Sequence, residues 1–315
     1  MIARIEELLK DDMAGDPCTG IKWTRRSTRK IAKELRTVGI QVSARKVARL
    51  LDELHFALRV NRKKLCRGSN SVKAERNEQF EYIADLRESF AERHLPIVSI
   101  DTKKKEMVGN FRNAGTTWKK EPHAVLDHDF RSDAEGMATP GGIYDTQANR
   151  GTVFVGTSHD TADFTVDNLV RWWVNEGRDR YPDATELLVL ADGGGSNGYR
   201  SRAFKYNLQT RLCDEHRIGV TVCHYPTGAS KWNPIEHRLF SQISNNWAGQ
   251  PLRSHETILN YIRTTKTETG LEVTAYIVDQ EYPTGVRIEN RQMKTLNMHP
   301  HTTQPLRNYT IRPRP

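Results

Sequence analysis

No stretch of this 315-residue sequence approaches the roughly 18 consecutive apolar residues that a membrane-spanning helix needs. The longest apolar candidates, such as Leu187-Leu-Val-Leu-Ala191, are the size of a core strand. The N-terminal residues Met1-Ile-Ala-Arg-Ile-Glu-Glu7 are charged from the start and contain no apolar signal-peptide core. Membrane and secreted proteins are both disfavoured. Cysteine is scarce as well: Cys18, Cys66, Cys213 and Cys223 form no C-x-x-C pair and no disulfide framework, which fits reduced thiols in a cytosolic chain. A zinc set could be assembled from Cys213, His216, Cys223 and His224, but the spacing matches no usual structural site, and buried thiols are the better reading. Internal repeats and low-complexity tracts are lacking too. The glycine-rich loop Gly193 to Gly198 lacks the Lys-Ser/Thr ending of a phosphate-binding P-loop, so an ATPase is a poor fit.

What the chain does have is charge, unevenly spread. It is 37% hydrophobic and 28% charged, enough apolar mass for a core, and its length leans towards two domains. The formal net charge is +9. Residues 1–76 hold 19 basic and 9 acidic side chains, whereas the rest holds 29 and 30. A basic head on a near-neutral body suggests a polyanion gripped mainly by one end, although a solvated basic surface would look the same.

Residues 23–67 read as short helices, after an N-terminal helical remnant over 1–22. Ser27 and Thr28 can cap a helix with Ile31 and Leu35 one turn apart, and Gly39 breaks it. Ser43 offers a second cap, followed by Val47, Leu50, Leu51 and Leu54 as an apolar stripe. Arg45, Lys46 and Arg49 lie off that stripe, on the second helix of a helix-turn-helix pattern, where they would meet DNA. A plain helical hairpin with a charged outer face is the competing explanation. The run Asn61 to Arg67 extends the positive surface. Residues 68–95 read as a connecting helix with Phe80, Ile83, Leu86 and Phe90 at three- and four-residue steps, ended by Pro96.

From Ile97 the pattern becomes α/β. Strands are expected at Ile97–Ile100, Gly142–Asp145, Thr152–Gly156, Leu187–Ala191 and Gly219–Cys223, the second and third paired around Asn149–Gly151. Helices are expected at Phe164–Val174, Ser201–Leu212 and Pro234–Trp247. Together they predict a mixed sheet covered by helices over residues 96–255. Residues 256–315 read as a C-terminal extension ending in an irregular tail from Asn297.

Three carboxylates fall where chemistry would use them. Asp101 and Asp192 each follow a strand, and Glu236 sits in the first turn of a helix. Active sites of open α/β sheets form beyond the carboxyl ends of strands. Hard divalent cations prefer oxygen ligands, and Mg²⁺ in particular is held by a few carboxylates together with substrate phosphates and water. Three converging acids could hold two such ions, which clamp the attacking and leaving oxygens of a phosphoryl displacement. Singly, each has a duller explanation, as a turn former or as a partner of a helix dipole.

The segments Ser99 to Glu106, Leu190 to Gly198 and Val222 to Phe240 closely resemble the Rhodopirellula-type DDE transposases of bacterial insertion sequences. So do Gly109 to Gly115, Gly156 to Ala162 and Arg171-Trp-Trp173. The resemblance runs from about Gly15 to the C-terminus, and it implies that part of the family's usual N-terminal region is missing. It also implies a ribonuclease-H-like fold, a mixed sheet flanked by helices and preceded by a small all-helical helix-turn-helix domain. The family's catalytic and metal-binding triad maps onto Asp101, Asp192 and Glu236.

The expected chemistry is Mg²⁺-dependent, with Mn²⁺ as a substitute: cleavage at the transposon end, then attack of the freed 3′-hydroxyl on target DNA. Lys103, Lys104 and Lys105 beside Asp101, and Lys231 and Arg238 around Glu236, are candidate phosphate contacts, with solvated side chains as the plain alternative. Trp232 could stack on a frayed base, but buried packing is the expected role. The partners implied are double-stranded transposon ends and target DNA, bound by a homo-oligomer in the cytoplasm at the nucleoid. Two alternatives are a non-catalytic DNA-binding relative, against which the intact acids argue, and a metal-dependent nuclease without strand transfer.

Overall fold

In the computed structural model, which describes residues 2, 5, 13–15, 22–24, 27–54 and 70–315, two serines open the helices of the N-terminal unit. Ser27 Oγ accepts the Lys30 amide ahead of α1 (Thr28–Thr37), and Ser43 Oγ accepts the Lys46 amide ahead of α2 (Ala44–Glu53). Each serine satisfies an amide that a helix start would otherwise leave without a partner. Gly39, at φ +83°, makes the turn between them in a conformation that costs other residues more. Ile31, Ala32, Leu35, Val42, Val47 and Leu50 bury together as the apolar spacing predicts, joined by Ile5. A two-stranded antiparallel ribbon, β1 (Met13–Gly15) with β2 (Lys22–Thr24), is an addition to the helical remnant expected there. The basic run Asn61 to Arg67 lies outside the described residues, as do Cys18 and Cys66.

The chain divides into two compact units, 1–68 and 69–315. The second begins with α3 (Asn70–Glu92), which buries Ile83 and Phe90 and stops short of Pro96. Its sheet is built from β3 (Ile97–Thr102), β4 (Glu106–Val108), β5 (Gly136–Asp145), β6 (Arg150–Gly156), β7 (Glu186–Ala191), β8 (Gly219–His224), β9 (Glu272–Val278), β10 (Met298–Pro300) and β11 (Asn308–Ile311). The order across the sheet is β10-β11-β8-β7-β3-β5-β6-β9, with β4 paired to β5. β3, β7 and β8 are mutually parallel, whereas β5 runs antiparallel to both β3 and β6. That mixed pattern is the ribonuclease-H-like arrangement.

Parallel strands at the centre are covered on both faces, which explains their unbroken apolar runs. Leu187, Val189 and Ala191 face a core shared with α4 (Ala162–Trp172) and α5 (Arg202–Asn207), through Phe164, Leu169 and Phe204. Leu188 and Leu190 face the opposite side, against Ile83, Phe90 and Tyr225. Beside that second face, Tyr144, Val153 and Val155 pack on Ile235, Leu239, Phe240 and Ile243, and on Ile258 and Ile262 of α7 (His255–Arg263). Ile243 belongs to α6 (Ser241–Asn246), which continues a π-type segment, Glu236–Phe240.

Residues 297–315 are not the irregular tail expected. β11 pairs antiparallel with β8, with Tyr309 opposite Val222, and Tyr309 and Ile311 are fully buried. The Pro, His and Arg content that suggested a tail belongs mostly to the connections, and the strand itself, Asn308-Tyr-Thr-Ile311, is short. β9 likewise carries the sheet beyond residue 255, parallel to β6. No helix among the described residues is long and apolar enough to cross a membrane.

Candidate active site

Strand register delivers the first two acids. Ile100 of β3 lies opposite Ala191 of the parallel β7, so the next residues, Asp101 and Asp192, leave adjacent strands at the same level. β3 runs on to Thr102, so Asp101 is held within the strand rather than just after it. The Thr102 amide donates to Asp101 Oδ1 at 2.8 Å.

The third acid arrives on a helix seated directly on sheet backbone. Asn233 O accepts the Glu236 amide at 3.1 Å and starts the turn. The helix can approach because β5 and β6 carry glycine beneath it. A Cβ at Gly142, which is opposite Asp101, would lie 2.6 Å from Phe240 Cε1, and one at Gly151 would lie 2.4 Å from Leu239 Cδ1.

Asp101 and Asp192 both feel acidic neighbours. Burial, then repulsion from Asp192 and Glu236, pushes Asp101 up to about 8, against the pull of the Thr102 amide. Asp192 is also raised, first by burial and then by Glu236, while a hydrogen bond from Asn233 opposes the rise. Among the described residues, none of the three has a cationic partner within ion-pair distance. Clustered acids without a counter-charge are a site short of positive charge. Among the described residues, no group of three or more His, Cys, Asp or Glu side chains is arranged as a metal-holding cluster. An open set of hard oxygen donors still fits Mg²⁺ or Mn²⁺, because such ions complete their shells with water and substrate phosphate.

The basic candidates divide. Lys104, Lys105 and Lys231 are exposed. Lys103 is turned inward, with Nζ 2.6 Å from Glu106 Oε1 and 4.6 Å from the centre of the Trp247 ring. Arg238 lines a separate cavity of about 730 Å³ with Asn149, Gln242 and Lys266. In the N-terminal unit Arg45, Lys46 and Arg49 are all exposed on α2. One expectation changes. Trp232 is 56% exposed rather than buried, because the 3₁₀ turn Ser230–Trp232 projects it beyond the packed helix. Cys213 and Cys223 are buried free thiols and assemble no zinc site among the described residues.

Several residues around the acids escaped the sequence reading. Asn233 donates to Asp192 Oδ1 and to the Ile100 carbonyl. Thr102 Oγ1, on the residue after Asp101, donates to Asp160 at 3.2 Å. Asn168 is buried and, among the described residues, neither amide atom has a partner; it lies beside a cavity of about 10 Å³ that Asp101 also lines. His224 places its ring nitrogens against the carbonyls of Arg307 and Asn197, both at 2.9 Å, the latter in the glycine loop after Asp192. Asn233 and His224 lie inside the Val222 to Phe240 segment, so position within a motif was the available signal; Asn168 had none beyond a polar residue on an apolar helix face.

A family model described as the Rhodopirellula transposase DDE domain matches residues 4–313. The chain belongs to this family of DDE transposases, enzymes that cleave DNA and transfer its strands with the help of divalent metals. Among solved structures, the Mos1 transposase paired-end complex with left transposon end is similar over 83% of this chain and 69% of its own, at 17% identity and TM-score 0.45. The Mos1 mariner paired end complex with Mn is similar over 83% and 70%, at 18% identity and TM-score 0.44. No curated protein matches the chain.

Proposed function

We propose that Asp101, Asp192 and Glu236 are the catalytic acids of this transposase and hold Mg²⁺, or Mn²⁺ in its place, against the DNA backbone. The observation that carries the reading is register: Ile100 opposite Ala191 brings Asp101 and Asp192 out side by side, next to the helix of Glu236. When bound, divalent ions stabilise the attacking and leaving oxygens of an in-line displacement. The chain's own part is to hold two acids on adjacent strands and the third on a helix, and to bring strands of DNA to them. Lys104, Lys105 and Lys231 contact phosphates at the rim. The lack of a counter-charge on the acids, among the described residues, favours this over a non-catalytic DNA-binding role.

Residues 23–67 act as the helix-turn-helix domain that recognises the element's ends, with Arg45, Lys46 and Arg49 facing the DNA. Residues 68–95 connect it to a catalytic core at 96–255, whose sheet is extended by strands from 256–315. The substrates are double-stranded transposon ends and then target DNA, held by a homo-oligomer in the cytoplasm at the nucleoid. The test is cleavage of DNA bearing the element's ends in Mg²⁺ or Mn²⁺ by a folded Asp192→Asn variant. Cleavage is expected to disappear, and undiminished cleavage overturns the assignment. Joining of pre-cut ends to target DNA separates a transposase from a nuclease, since only the former makes joined product.

A further inference from the structure

Asn233 is fully buried, and its side chain makes three hydrogen bonds that reach different parts of the acid cluster. Its Oδ1 accepts from Ser99 Oγ at 2.5 Å. Its Nδ2 donates to the Ile100 carbonyl at 3.3 Å and to Asp192 Oδ1 at 3.2 Å. Ser99 Oγ in turn accepts the Ile235 amide at 3.1 Å, and the Asn233 carbonyl accepts the Glu236 amide. The amide orientation is unambiguous, because the Ile100 carbonyl can only accept and so must face the NH₂ group. Every polar atom of the Asn233 side chain is thereby used.

Each bond has its own consequence. The two bonds to Ser99 and Ile100 tie Asn233 to the strand residues just before Asp101. The bond to Asp192 holds one of its carboxylate oxygens. The backbone bond fixes the first turn of the Glu236 helix. A neutral side chain does this without supplying the positive charge that would compete with a cation. Outer-shell partners of metal ligands typically change affinity 10–100-fold when removed.

We propose that Asn233, oriented by Ser99, is the positioning residue that sets Asp101, Asp192 and Glu236 in mutual register for divalent-ion binding. The proposal rests on the assignment of those three acids as the metal-holding set. Asn233 touches neither DNA nor reacting atoms in this role.

The test is direct Mn²⁺ binding to the full chain without DNA, read by electron paramagnetic resonance, for Asn233→Leu, Asn233→Ser, Ser99→Ala and Asp192→Asn. Duplex-end affinity in EDTA and thermal midpoints are measured alongside. Asn233→Leu and Asn233→Ser are expected to weaken Mn²⁺ binding 10–100-fold, with Ser99→Ala in between, while DNA affinity in EDTA stays within twofold. Asn233→Ser and Ser99→Ala answer the question if the leucine variant does not fold. Wild-type Mn²⁺ affinity in folded Asn233 variants, with binding lost in Asp192→Asn, overturns the positioning role and leaves the triad standing. Undiminished Mn²⁺ binding by Asp192→Asn overturns the triad, and the positioning role with it.

Discussion

Gly142 sits directly opposite Asp101 on the neighbouring antiparallel strand, and it is also the residue on which Phe240 rests. An added Cβ would come 2.6 Å from Phe240 Cε1 and 2.8 Å from Ile235 Cδ1, both on the helix that carries Glu236. Gly142→Ala is therefore expected to lift that helix and to cost about 1–3 kcal/mol in stability through overpacking. Metal-dependent cleavage should fall on the order of tenfold to a hundredfold, since small displacements of a reacting group are costly. Gly194→Ala is the control for stability, because nothing lies within 4 Å of a Cβ there. Chemical denaturation and a cleavage time course on both variants check this; equal behaviour of the two would show that helix seating does not set the position of Glu236.

The exposed residues of α2 make a separate prediction about affinity. Arg45 and Arg49 are exposed, off the buried Val47 and Leu50, and belong to none of the apolar contacts of the helix pair among the described residues. Removing one arginine from a DNA phosphate should reduce the slope of log affinity against log salt by about 0.9. Arg45→Ala and Arg49→Ala are thus expected to weaken binding to duplex ends most at low salt, with thermal stability changed by less than about 0.5 kcal/mol. A binding isotherm series from low to moderate salt checks it, and unchanged slopes would move the DNA interface off this helix.

How much of the fold and site is legible in the sequence depends on whether the signal is local. The caps at Ser27 and Ser43, the apolar stripes that follow them and the runs Ile97–Ile100 and Leu187–Ala191 are local patterns, and each forms the element it predicts. The placing of Asp101 and Asp192 at the carboxyl-end side of adjacent strands follows from those local runs, although β3 runs one residue past Asp101. β11 is not legible in this way, since Asn308-Tyr-Thr-Ile311 is short and becomes a strand only by pairing with β8. Asn233 is marked only by lying inside the Val222 to Phe240 motif; its bonds to Ser99 and Asp192 depend on residues that the sheet brings to it. Trp232 is expected inside because tryptophan usually is, but the turn before Asn233 directs it outward.

His224 ties stability to pH. Burial chiefly, with Lys205 and Arg307 nearby, lowers it from 6.5 to about 4, against the pull of its two carbonyl contacts. Between those values the unfolded chain takes up a proton that the folded chain does not. This contribution is complete above about pH 6.5, declines as pH falls through that window, and is spent below about pH 4. At about 1.4 kcal/mol per unit, the loss is on the order of 3 kcal/mol. His224→Gln should be less stable at neutral pH but should lose less between pH 6.5 and 4. Urea midpoints across that range compare the two, and parallel acid losses would assign the effect to other groups.

Trp232 is an exposed aromatic residue directly before Asn233 in the chain. Phe80 meets its ring edge-on at 5.8 Å between centroids, and Lys231 lies 5.4 Å from its centre, which leaves an indole held in place yet 56% exposed beside Asn233. A fixed aromatic next to a cation suits an unpaired base, whose stacking is worth about 1–3 kcal/mol. Transposition requires strands to separate where they are cut, so the terminal bases of a cleaved end are natural partners. Trp232→Ala is expected to leave folding stability nearly unchanged while reducing affinity for ends with unpaired terminal bases by roughly 5-fold to 150-fold, which is the same energy expressed as binding. Affinity for fully paired ends should change little. Equal losses on paired and unpaired ends would show that the side chain supports the DNA surface in general, and no loss on either would confine Trp232 to its packing with Phe80.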